Sequence, residues 1–124
     1  MNIQESAEMY LESIHVLSQE MENVRSIDIC RKMGFSKPSV SRAMKNLKAE
    51  DYIDIDANGY ITLKEKGLAI ADKIYERHKA LTELFISIGV SAQTAEDDAC
   101  RIEHVISDET FTKIRELMKK SHQR

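Results

Sequence analysis

The chain is 124 residues long, 42% hydrophobic and 31% charged, with a net charge of −3. This is the make-up of a soluble globular protein of one domain or two small ones. No apolar run approaches a membrane span, Met1-Asn2-Ile3-Gln4-Glu5 does not read as a signal peptide, and the two cysteines, Cys30 and Cys100, are far apart and form no disulfide framework. A reducing cytoplasm is therefore the expected setting, without membrane contact; one proline, four glycines and no tryptophan point to a helix-rich fold.

The net charge argues at first against a nucleic-acid partner, but it averages over blocks. Residues 1–23 carry five Glu and no Lys or Arg, whereas residues 24–49 carry Arg25, Arg31, Lys32, Lys37, Arg42, Lys45 and Lys48 against Asp28 alone. Residues 81–112 are acidic again, with Arg101 among Glu83, Glu96, Asp97, Asp98, Glu103, Asp108 and Glu109. A basic block between acidic ones suggests anion binding in the middle and cation binding at the flanks.

In chain order, residues 5–20 read as a helix with Tyr10, Ile14, Leu17 and Met21 as its apolar stripe. Met9 and Glu12 share an adjoining face; by themselves they suit core filling and a solvated charge. Ser26 is the expected cap of a short helix running to Met33, and Gly34 the left-handed residue after it. Ser36 is expected to cap a third helix, with Pro38 in its first turn, running through Val40, Ala43, Met44 and Leu47 to about Ala49. Tyr52–Asp56 and Gly59–Leu63 alternate as strands around Ala57-Asn58-Gly59, where Asn-Gly is a hairpin signal because both central residues of that turn need positive φ. Helix, glycine turn, basic helix and hairpin make a winged helix-turn-helix over residues 1–64.

Residues 65–124 read as helical and form the second expected domain. A long helix runs from Lys64 to about Ser87, with Ile74, His78, Leu81, Phe85 and Ile88 on one stripe, so His78 lies among apolar residues as a core histidine would. Gly89 breaks it, Ser91 caps the next helix to about Ile106, and Ser107 with Asp108 and Glu109 opens the last. On the middle helix Cys100, Glu103 and His104 stand at i, i+3 and i+4, one face of three ligands suited to a divalent transition metal. Ala92, Ala95, Ala99, Ile102 and Ile106 form a separate packing stripe; a half-buried helix carrying a chance triplet is the plain alternative.

Direct readout of DNA needs donors near the start of the third helix and cations to neutralise phosphate. Arg42 is the best candidate for a base edge, Ser39 and Ser41 for bases or phosphates, and Ser36, Lys37 and Lys45 for phosphate anchoring, with a solvated basic face as the alternative. One such helix reads only a few base pairs, so useful affinity implies a homodimer on a near-palindromic double-stranded site.

With these pieces in order, the chain resembles the diphtheria toxin repressor family of metal-dependent transcriptional regulators, in its short two-domain form. The resemblance covers essentially the whole chain. It rests on Ala7-Glu8-Met9-Tyr10-Leu11, Phe35-Ser36-Lys37-Pro38-Ser39-Val40-Ser41, Arg77-His78 and, most specifically, Asp98-Ala99-Cys100-Arg101-Ile102-Glu103-His104-Val105-Ile106-Ser107-Asp108-Glu109. It implies a mainly α fold and a DNA-binding repressor, not an enzyme, with a divalent metal as co-repressor. The family's iron-type primary site implies Met9, Cys100, Glu103 and His104 as ligands. The manganese branch has a liganding Glu matching Glu12 and an Asp where Met9 stands; the neighbouring site has a His matching His78. Where the iron branch has a second ancillary His this chain has Glu96, and where that branch has an ancillary Glu it has Thr82, with Glu83 one residue out of register. His78, Glu12 and Glu96 are thus assigned to the second site.

Thioether and thiolate favour iron, cobalt, nickel or zinc over manganese, and availability in the cell overrides the raw affinity series; Fe(II) is the first expectation and Mn(II) the second. A metal joining the first helix to the Cys100 group would set the angle between the halves, and so the spacing of two reading helices. A winged-helix regulator sensing oxidants through Cys100 or Cys30, without metal, is the rival expectation.

Overall fold

The computed structural model describes the backbone of residues 3–122 and the side chains of residues 5–120. Its elements are α1 (Ile3–Glu20), α2 (Ser26–Met33), α3 (Lys37–Ala49), β1 (Ile53–Ile55), β2 (Ile61–Leu63), α4 (Glu65–Ser87), α5 (Ala92–Ile102) and α6 (Asp108–His122). The fold is mainly helical, with a small β-hairpin wing followed by helices, as the sequence leads one to expect. The chain divides into two compact units, Met1–Asp72 and Lys73–Arg124. No helix among the described residues is long and apolar enough to cross a membrane.

In the first unit Leu11, Ile14, Val24, Ile29, Val40, Met44, Leu47, Ile53, Ile61 and Ala71 form one buried cluster. Met21, expected on the inward stripe of α1, lies just past the helix end and is exposed; Leu11 is fully buried. The cap of α2 is Arg25 rather than Ser26: its backbone N–H donates to the Asp28 carboxylate at 2.9 Å. Gly34 follows at φ 70°, its N–H donating to the Cys30 carbonyl, which reverses the chain into α3. Ser36 caps α3 as expected, accepting from the Ser39 N–H at 3.3 Å.

β1 and β2 pair antiparallel in the register Ile53↔Leu63, Asp54↔Thr62 and Ile55↔Ile61. The expected two-residue turn is replaced by a longer loop, because of Asn58 and Gly59 only Gly59 has positive φ, at 81°. Asp56 organises it: one carboxylate oxygen accepts from the N–H of Asn58 at 2.9 Å and of Tyr60 at 3.0 Å. The Val24 carbonyl accepts from the Ile61 N–H at 2.7 Å, tying the wing to the start of α2.

In the second unit Ile74, Leu81, Ala95, Ala99, Phe111 and Met118 are buried. Gly89, at φ 102°, ends the turn after α4. The Ser91 hydroxyl pairs with Thr94 Oγ1 at 3.1 Å instead of capping the backbone, while Ser107 accepts from the Thr110 N–H at 3.1 Å and does cap α6. α5 stops at Ile102, short of the expected Ile106. The next residues form a tight turn in which the N–H groups of Val105 and Ile106 both donate to the Ile102 carbonyl.

Candidate functional site

The first unit presents its reading element on α3. Val40, Met44 and Leu47 face the core, leaving Ser36, Lys37, Pro38, Ser41, Arg42 and Lys45 exposed and Ser39 half-buried. Lys37, Ser41 and Lys45 succeed one another at i+4 and so share a row. Lys37 and Ser41 also border, with Ser26, Ile27 and Cys30, a cleft of about 290 Å³ between α2 and α3. The Ser36 hydroxyl donates to Ser39 Oγ at 2.9 Å, so these two side chains brace the helix start as well as standing on its exposed side. Tyr10 meets Phe35 edge to face, 6.0 Å between centroids, which fixes the turn before α3 against α1. In the sequence Arg25 is one member of a basic block. Its guanidinium lies 4.8 Å over the Tyr60 ring and donates to the Tyr60 hydroxyl at 3.3 Å, bringing a cation to the base of the wing.

Of the metal-ligand candidates, Met9 and Glu12 sit half-buried on α1 in the first unit. The other five belong to the second unit, where Glu103 is the centre. It is completely buried, just past the end of α5. His78 Nδ1, on α4, lies 2.9 Å from Glu103 Oε2, and His104 Nε2 lies 3.3 Å from Glu103 Oε1. A buried carboxylate is costly unless paired, and the His78 contact at Oε2 answers that need at one oxygen. If the carboxylate accepts from His78 Nδ1–H, the lone pair of His78 is on Nε2.

The spacing of Oε1 and Nε2 suits an ion. Donors held about 2.1 Å from one metal lie about 3.0–3.4 Å apart across octahedral or tetrahedral angles, and this pair stands at 3.3 Å. Cys100, one turn earlier, is exposed, so the three side chains expected on one face range from an exposed thiol to a fully buried carboxylate. Glu96 is exposed further back on the same helix; seven residues of helical rise separate it from Glu103 by about 10 Å. Near His78, the Thr82 hydroxyl is buried without a hydrogen-bond partner, and Glu83 is exposed.

Arg77, which in the sequence carries part of the family resemblance but no assigned role, stands behind this site. It is 6% exposed and donates from Nη1 to the carbonyls of Glu103 at 3.2 Å and Ile106 at 3.0 Å. The signal was present: Ile74, Arg77, His78 and Leu81 fall at i, i+3, i+4 and i+7, which puts a cation on the inward stripe of α4.

Comparison with known proteins gives two family matches. Residues 2–68 match the family described as iron dependent repressor, N-terminal DNA binding domain. Residues 64–123 match iron dependent repressor, metal binding and dimerisation domain. The chain is 29% identical over 118 residues to an uncharacterised helix-turn-helix type transcriptional regulator of Methanocaldococcus jannaschii, covering 94% of each. It is 30% identical over 106 residues to the transcriptional regulator MntR of Escherichia coli, covering 86% of this chain and 68% of that one. The structure of the manganese regulator SloR superposes with a TM-score of 0.78 at 28% identity, covering 91% of this chain and 53% of that one. The chain thus spans about half the length of that solved relative.

Proposed function

The chain belongs to the iron-dependent repressor family of metal-dependent DNA-binding transcriptional regulators, and from that premise we propose that it is a repressor whose co-repressor is a divalent metal, Fe(II) first and Mn(II) second. The observation that carries this reading is the buried Glu103 carboxylate set between His78 and His104, with Oε1 and Nε2 spaced as two donors to one ion.

Met9, Cys100, Glu103 and His104 are the proposed primary donors, with Glu12, His78 and Glu96 ancillary. A bound ion supplies the positive charge that lets acidic donors from both units converge. The thioether of Met9 and thiolate of Cys100 favour Fe(II) and the later divalent ions over Mn(II), availability in the cell selects Fe(II) among them, and the carboxylate of Glu12 admits Mn(II). The chain acts as a homodimer in the cytoplasm. Joining donors from both units fixes the separation of its two α3 helices to match successive major grooves of a palindromic operator. There Arg42 reads a base edge, Ser39 and Ser41 contact bases or phosphates, and Ser36, Lys37 and Lys45, with Pro38 shaping the helix start, hold phosphate.

The test is substitution at one donor in each unit. Met9→Ala and His104→Ala should keep the fold by circular dichroism and bind operator DNA equally with and without metal. An unchanged metal response in both variants would overturn the bridging arrangement.

A further inference from the structure

The Glu103–Ile106 turn carries two proposed donors, yet it has left the α5 ladder, so its carbonyls lack helical partners. Arg77 supplies them. Its Nη1 donates to the carbonyls of Glu103 and Ile106, while Nη2 pairs with the Asp108 carboxylate at the start of α6. The guanidinium also lies 5.4 Å from the centre of the Phe111 ring, and its Nε has no hydrogen-bond partner, so the fork is aimed by Nη1 and Nη2 alone. The next residue, His78, holds the Glu103 side chain at 2.9 Å. Adjacent residues of α4 therefore hold Glu103 at both its main chain and its carboxylate.

We propose that Arg77 is a positioning residue for the metal centre: it locks the Glu103–Ile106 turn so that Glu103 and His104 stand in ligating geometry before any ion arrives. This rests on the metal reading above and adds a residue that is not itself a donor. Groups that orient ligands from behind typically set metal affinity by about 10–100-fold. A lysine keeps the charge but lacks the planar fork that reaches two carbonyls and a carboxylate together.

The experiment titrates the full-length chain with Co(II) anaerobically, reading affinity by chelator competition and coordination by visible absorption. Wild type is compared with Arg77→Lys, Asp108→Ala and, as a generic core lesion in the same unit, Met118→Ala. Arg77→Lys should remain folded, bind Co(II) about 10–100-fold more weakly and shift the ligand-field bands. Asp108→Ala, which frees the far end of the fork but spares the carbonyl bonds, should show a smaller loss in the same direction. Met118→Ala should lower the melting temperature and leave affinity and spectrum alone.

Wild-type affinity and spectrum in a folded Arg77→Lys would overturn the proposal. Should that variant not fold, unchanged Co(II) binding by Asp108→Ala would do so. A parallel loss of affinity in Met118→Ala would reduce Arg77 to a structural role. No Co(II) binding by wild type would instead overturn the metal reading itself.

Discussion

Glu103 shows how one residue links burial to chemistry. A carboxylate with no exposed surface is tolerated because His78 Nδ1 stands 2.9 Å from one oxygen, while His104 Nε2 lies 3.3 Å from the other, so burial and two nearby imidazoles meet at one side chain. At the other extreme, Asp51 and Lys64 form an exposed ion pair, Nζ to Oδ1 at 2.6 Å, beside a backbone in the left-handed region at φ 68°. The Lys64 hydrogen bond holds the Asp51 carboxyl below its ordinary value of 3.8, and Asp51 pushes Lys64 above 10.5. A lowered acid contributes stability above its unfolded pKa and loses it as pH falls through the folded one; a raised base contributes below its unfolded pKa and loses it as pH rises through the folded one. Asp51→Asn, which tolerates the left-handed backbone, should therefore flatten the acid limb of stability slightly in denaturant melts from about pH 2 to about pH 6. It should change little at high salt, where exposed pairs are screened. Identical acid limbs in both proteins would show that the pair does nothing for the fold.

At the scale of elements, α4 begins against the wing. The Lys64 N–H donates to the Tyr52 carbonyl at 3.0 Å, and a methyl group at Gly67 would overlap that carbonyl oxygen and crowd Leu11. A glycine inside a helix ordinarily costs stability; here it permits the approach. Gly67→Ala, despite its better helix propensity, should destabilise the chain by about 1–3 kcal/mol in urea denaturation, and a stabilised variant would contradict this packing.

The helix-turn-helix and wing were legible in the sequence because their signals are local: Gly34, the Ser36 cap, Pro38, and alternation around Asn58-Gly59. What escaped depends on partners distant in sequence or on competition between neighbours. Asp56 took over the hairpin turn with its own side chain, and Arg25 with Asp28 displaced Ser26 as the cap. α5 ends at Ile102 where Arg77, from another helix, takes the carbonyls of the following turn. Periodicity carries that last stripe on to Ile106 because it cannot see a donor 29 residues away. The Cys100, Glu103 and His104 spacing was readable, but the unequal exposure of its members was not.

For the whole molecule, the uneven charge of the sequence finds its division of labour. The basic block falls on α2 and α3, in the stretch matched to a DNA-binding domain; the C-terminal acidic block falls on the stretch matched to metal binding and dimerisation. If one ion draws donors from both, metal and DNA must each tighten the other's binding by the same factor. The most direct test is anaerobic fluorescence anisotropy on a palindromic duplex from upstream of the protein's own gene, at fixed salt, metal-free and then with Fe(II), Mn(II) or Zn(II). Weak binding is expected without metal, tightening with Fe(II) and next with Mn(II), and reversal by chelator. Binding that ignores every metal but shifts with a thiol oxidant would contradict this expectation and point instead to Cys100 or Cys30 as the sensor.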